Sequence, residues 1–106
     1  MSMSVQISLL IKEIVSGYDP EKIYLFGSHA RDEGSAESDI DLFIVKNTSR
    51  RKTERGQDVR KCIKHYPLTG LDLIVYTPAE LEIAMLDTVN IGKEAVRGGK
   101  LMYERV

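Results

Sequence analysis

Three aspartates and a Gly-Ser pair are the residues here whose types and spacing suggest chemistry. Asp39 and Asp41 stand at the head of an apolar run, Ile40-Asp41-Leu42-Phe43-Ile44-Val45. In an extended strand they point to the same face, roughly 7 Å apart along the backbone. Two carboxylates there are a poor structural choice, since like charges ~4 Å apart cost ~4 kcal/mol at an effective dielectric near 20. A cation between them turns that cost into a binding site, and hard oxygen ligands suit Mg²⁺ shared with substrate phosphates. Asp72 is the second residue of another apolar run, Leu71 to Tyr76. If that strand lies beside the Asp41 strand, three carboxylates line one corner of the sheet. Such a corner can hold two Mg²⁺ ions ~3.5–4 Å apart, an arrangement suited to in-line displacement at phosphorus.

Gly27-Ser28 supplies the complement. A glycine at a strand end lets backbone approach a phosphate closely. The first-turn N–H groups of a following helix, with the helix dipole, favour an anion at the same place. The Ser28 hydroxyl adds a donor. Arg31, one turn on, is placed either to reach a phosphate, to brace an acid, or to remain a surface arginine.

The elements that must position these residues follow from pattern. Ile7, Leu10, Ile11 and Ile14 have the spacing of an amphipathic helix over Val5 to Val15. Ile23 to Phe26 is apolar on both faces, as a central strand is. A short helix is expected through Ala30 and Arg31, ended at Gly34-Ser35, and a second strand over Ile40 to Val45. The polar stretch from Asn47 to Gly56 reads as a mobile loop entering a helix from Thr53 to Tyr66, with Val59, Cys62, Ile63 and Tyr66 inward and Pro67 and Gly70 at its end. Leu71 to Tyr76 is a third strand. Thr77-Pro78-Ala79-Glu80 has the form of a capping box with proline at the first helical position. Leu81, Ala84 and Met85 make the inner face of that helix. Another helix spans Val89 to Arg97 and closes at Gly98-Gly99, and Leu101 to Tyr103 forms an edge strand.

At 106 residues the chain is expected to be one domain, residues 1 to 106. With 42% hydrophobic and 29% charged residues it has the make-up of a soluble globular protein, and its net charge of −1 argues against a broad nucleic-acid groove. A single cysteine excludes an internal disulfide and a Cys-rich zinc site. Lys12 and Glu13 interrupt the apolar N-terminal run, so neither a signal peptide nor a membrane span is expected, and the cytoplasm is the default. Several features have plain readings. His29 is expected to face solvent, Cys62 to sit in the core, and His65 and Tyr66 to end a helix. Arg50-Arg51-Lys52 reads as a solvated loop, with nucleotide, RNA or partner contact as the alternative. Gly98-Gly99-Lys100 is a helix cap and lacks P-loop spacing.

Taken together, Gly27-Ser28-x-Ala30-Arg31 followed by Ser38-Asp39-Ile40-Asp41-Leu42 resembles the signature of the polymerase-beta-like nucleotidyltransferase superfamily. Within it, nearly the whole chain is similar to the minimal nucleotidyltransferase (MNT) proteins of bacteria and archaea. Many members have glycine where Asp32 follows the arginine. The resemblance implies an α/β (α+β) nucleotidyltransferase fold, with a mixed sheet of three to four strands flanked by helices. It implies that Asp39, Asp41 and Asp72 are catalytic metal ligands, that Gly27 and Ser28 hold a triphosphate, and that ATP with two Mg²⁺ ions is the donor. It also implies a partner, a helical HEPN-domain toxin for which this chain is the antitoxin, in some cases by transferring AMP to a tyrosine. The chain is too short for a separate acceptor domain, so a second protein bringing the acceptor hydroxyl fits. Two other readings stay open: an antitoxin that works by binding, through the Leu81 to Met85 face and the C-terminal residues, and a small-molecule transferase acting as a homo-oligomer.

Overall fold

The computed structural model describes residues 3–31, 34, 39–66 and 70–106. The expectations placed on Asp32, Ser35, Ser38 and Pro67 lie outside the described residues.

Four strands form one sheet in the order β3-β2-β1-β4, with β1 at Lys22–Phe26, β2 at Ile40–Val45, β3 at Leu71–Tyr76 and β4 at Lys100–Glu104. β1 runs antiparallel to both β2 and β4, and β2 runs parallel to β3. The sheet is therefore mixed, and β1 is central, as its two apolar faces require. The β1–β4 register shifts between Ile23 and Tyr24, a bulge near the middle of the edge strand.

Strand alternation divides the apolar residues between two faces. Ile23, Leu25, Ile40, Leu42, Ile44, Leu71 and Val75 pack against α1 (Met3–Tyr18) and Val59 of α2 (Lys52–Arg60). The α1 stripe is the expected one, and Ile7, Leu10, Ile11 and Ile14 are all buried. Tyr24, Phe43, Val45 and Tyr76 face the other way, under Ala84 of α3 (Pro78–Ala84) and Ala95 of α4 (Ile91–Gly98). Phe43 and Tyr76 meet edge to face at 4.9 Å, and α4 comes close enough that a Cβ on Gly92 would lie 3.0 Å from the Tyr76 ring.

Local chemistry explains the helix ends. The Thr77 side chain accepts from the Glu80 N–H, and Glu80 accepts from the Thr77 N–H, so the capping box is complete. The Asn90 side chain accepts from the Gly92 N–H and starts α4 at Ile91, which leaves Val89 outside and exposed. Gly99 ends α4 in extended backbone (φ −91°) rather than a left-handed cap. Its glycine serves close approach, because a Cβ there would collide with Ala95 O and lie 2.7 Å from Leu25 O.

α2 is shorter than its apolar spacing predicts. It ends at Arg60, where tight bonds from the Cys62 N–H to Val59 O and from the Ile63 N–H to Arg60 O close the last turn. Glu13 of α1 then accepts from the N–H groups of Lys64 and His65 and draws the chain away from the helix axis. Ile63 remains buried, but Cys62 is only half-buried, packed on Gly17. His65 and Tyr66 therefore follow the helix instead of ending it.

One ionic clasp joins α2, β3 and α3. Arg55 is 6% exposed; its guanidinium donates to Arg50 O, Val75 O and, at 2.6 Å, to Glu80 Oε1. The Arg55 hydrogen bond holds the Glu80 carboxyl down at about 2. Arg50 itself forks onto Asp58 and pairs with Glu54, while Arg50, Arg51 and Lys52 all stay exposed to solvent.

Candidate active site

The parallel β2–β3 register pairs Asp41 with Asp72, and the antiparallel β1–β2 register pairs Asp41 with Phe26, the residue before Gly27. Asp41 shares strand parity with Phe43, and Asp72 with Ile74. Both acids therefore point to the face that α3 and α4 cover farther along. Asp41 is half-buried and Asp72 exposed, so both acids remain accessible.

Asp41 and Asp72 share a side-chain hydrogen bond. The Asp41 carboxyl is pushed up to about 6, first by burial, then by that hydrogen bond and the charge of Asp72, then by the charge of Asp39. His29 opposes the rise. Asp39 is exposed, just before β2, with Oδ1 3.3 Å from where a Cβ on Gly70 would be. The Ile40 N–H donates to Gly70 O at 2.9 Å and ties the start of β2 to the turn before β3. Both glycines with positive φ among the described residues border the acids. Gly27 (φ +77°) lies so close to Asp41 that a Cβ would strike Oδ2, and Gly70 (φ +75°) lies under Asp39. Only residues without a Cβ hold these conformations cheaply.

Gly27 leads into a single 3₁₀ turn, Ser28–Arg31, with the Ala30 N–H bonded to Gly27 O. This corrects the expected short α-helix. Four residues develop little macrodipole, so local amides and side chains carry any anion contact there. Ser28 opens the turn beside Gly27. Arg31 lines a cavity of about 600 Å³ that also takes in Gly27 and the exposed side of α4. His29, which opposes the rise at Asp41, is buried rather than solvent-facing. Its ring rests under Gly34, where a Cβ would come within 2.5 Å of Nδ1. Helical periodicity has no bearing on a four-residue turn, and Gly34 carries no pattern of its own, so nothing in the sequence signals this burial.

The donor set is of the kind a hard divalent cation takes: aspartate oxygens on adjacent strands, with Asp41 partly desolvated. As the side chains stand, among the described residues no three His, Cys, Asp or Glu groups already converge on a single point. Asp41 and Asp72 form the nucleus, and Asp39 acts on it through its charge. A second cavity, about 640 Å³, lies between α1 and the segment after α2, lined by Lys12, Lys61, Cys62 and Lys64. It contains none of the acids, and its size alone does not suggest chemistry. No helix among the described residues is long and apolar enough to cross a membrane.

The chain and its fold have counterparts among known proteins. The family described as polymerase beta, nucleotidyltransferase matches residues 10–105. A crystal structure of a protein from Sulfolobus solfataricus, assigned there as a candidate nucleotidyltransferase, superposes with a TM-score of 0.62. It is 24% identical, and the match covers 93% of this chain and 78% of that one, which establishes a shared fold. No curated protein matches the chain.

Proposed function

The chain belongs to the polymerase beta nucleotidyltransferase family, and from that premise we propose that it moves a nucleoside monophosphate, AMP from ATP, onto a hydroxyl of a partner protein. The observation that carries the chemistry is the Asp41–Asp72 pair set in parallel register beside Gly27. Asp41 and Asp72, with Asp39, would hold Mg²⁺. The bound ion supplies charge neutralisation at the triphosphate and a more acidic acceptor hydroxyl. The chain's own residues do the rest. Gly27 brings backbone close to the phosphates, and Ser28 and Arg31 donate to them. The acceptor oxygen bonds to the α-phosphorus as the bond to the pyrophosphate oxygen breaks. The hydroxyl proton passes to a carboxylate of this group. Pyrophosphate leaves.

The acceptor side follows from the resemblance to minimal nucleotidyltransferases. The partner would be a helical HEPN-domain toxin, with this chain as its antitoxin. A second reading, neutralisation by binding alone, is favoured by one feature: Ile83, Leu86 and Val89 around the α3–α4 turn are exposed by 66%, 86% and 79%. Apolar side chains grouped like this suit a protein contact.

The test is mass spectrometry of the protein encoded alongside, after incubation with this chain, Mg²⁺ and each nucleoside triphosphate. One added nucleotide is expected with wild type and none with Asp39→Asn. Full transfer by a triple Asn variant at Asp39, Asp41 and Asp72 would refute the acid assignment. Full neutralisation without transfer would select the binding reading.

A further inference from the structure

The cavity of about 600 Å³ next to Gly27 brings together three cations from separate parts of the chain. Arg31 comes from the 3₁₀ turn, and Lys93 and Arg97 come from α4. The two α4 cations are one turn apart and share a side of the helix. Their direction is set by the opposite stripe: Ala95 is fully buried, and Gly92 abuts the Phe43 and Tyr76 rings. Lys93 Nζ donates to Asp87 O at 2.8 Å, which stations the ammonium at the cavity rim with N–H groups to spare. The lining includes one acid, Glu94. Three cations against one anion is a local excess of positive charge in a chain whose net charge is −1.

The location gives that charge a use. Gly27 belongs to the cavity wall and also lies against Asp41, so the cavity, which is lined by none of the three aspartates, adjoins them across Gly27. An anion held through a cation at Asp41 and Asp72 would extend past Gly27 toward it. A linear polyphosphate has that shape and charge. An Arg fork and a Lys point charge are the two usual side-chain partners of phosphate.

We propose that the groove between Gly27 and α4 binds the polyphosphate tail of the donor nucleotide, with Lys93 and Arg97 as its anchoring cations alongside Arg31. This rests on the transferase reading and extends it to an element distant in sequence from the Gly-Ser motif. Neither lysine nor arginine here belongs to any motif, and only the packing of α4 brings them to the site.

The experiment is calorimetric titration of wild type, Lys93→Ala/Arg97→Ala and Glu94→Gln with ATP, pyrophosphate and AMP in Mg²⁺, with Mn²⁺ binding as a separate probe of the acids. The double variant is expected to lose about tenfold or more in affinity for ATP and pyrophosphate, given two charge-assisted contacts removed. Its Mn²⁺ affinity should hold. Glu94→Gln should bind both polyphosphates about two- to threefold more tightly, because a repelling charge is gone. It also keeps the question answerable if the double variant folds poorly. AMP affinity should change little in either. Wild-type ATP affinity in the double variant, or a tighter grip on ATP absent in Glu94→Gln, overturns the groove and leaves the transferase reading in place. If wild type binds no nucleoside triphosphate, both readings fall. If ATP binding behaves as expected but Asp39→Asn still transfers, the acid assignment falls and the groove stands.

Discussion

Replacing Asp41 with Asn should make the metal-free protein more stable while removing its response to divalent cations. The Asp41 carboxyl is raised from 3.8 to about 6 in the fold, by burial first and by Asp72 and Asp39 after. A raised carboxyl pKa means that the folded state holds its proton more tightly than the unfolded chain. The contribution is fully present below about 3.8 and is lost as pH rises through about 6. The difference of roughly two units, at 1.36 kcal/mol each, sets an upper bound of about 3 kcal/mol forfeited by neutral pH. Because Asp41 interacts with a neighbouring carboxylate and water reaches the site, about 1–2 kcal/mol is the expected gain for Asp41→Asn at pH 7.5. Asn also keeps a donor for Asp72. The assay is urea unfolding in EDTA at pH 4.5, 6 and 7.5, for wild type and variant. The variant should be slightly the more stable at pH 4.5, the gap should widen mainly between pH 4.5 and 6, and it should change little from there to 7.5. Adding Mg²⁺ at pH 7.5 should raise the wild-type midpoint and leave the variant unmoved. A variant less stable than wild type at pH 7.5 in EDTA, or a gap that does not grow with pH, would refute the reasoning that like charge and burial dominate this corner.

Other perturbations test the scaffold around the acids. Arg55→Ala leaves Glu80 and Val75 O without their buried partner and should cost about 3 kcal/mol by urea titration. Because Glu80 is held down at about 2, its contribution is present above about 4.5 and fades as pH falls through 2, so wild type should resist acid to a lower pH than Arg55→Ala in a circular-dichroism titration. Gly27→Ala combines a positive φ with a collision at Asp41 Oδ2 and should lower stability by about 2 kcal/mol in thermal melts, with the Mg²⁺-induced shift reduced. Gly99→Ala should destabilise by 3 kcal/mol or so, since Ala95 O and Leu25 O are backbone atoms that cannot yield, whereas Gly98→Ala, with open space around it, should be neutral or stabilising by about 0.5 kcal/mol.

Much of the fold is legible in the residues themselves. Strand parity puts Asp41 on the face of Phe43, the stripe from Ile7 to Ile14 specifies α1, and Thr77 with Glu80 specifies the start of α3. Each rests on interactions within a few residues, which neighbours in sequence must satisfy wherever the chain goes. β2 and β3 appear in the sequence with their observed boundaries for the same reason. The departures have causes outside the local pattern. Val59, Cys62, Ile63 and Tyr66 keep helical spacing past the point where Glu13 of α1 captures the chain, and a distant side chain leaves no mark in that spacing. His29 is polar by type and buried by packing, because Gly34 clears room for its ring.

By itself, then, the sequence places two acids at the head of a strand behind a Gly-Ser turn and a third near the start of a later strand. Tertiary structure decides that β2 and β3 lie side by side in parallel, with Asp41 opposite Asp72, and that α4 stands over the same end with Lys93 and Arg97 facing Gly27. Register and strand order come from contacts across tens of residues, from aromatic packing at Phe43, Tyr76 and Gly92 and from close approach at Gly99. Side-chain alternation is set one residue at a time, but the meeting of elements depends on the shape of the whole core.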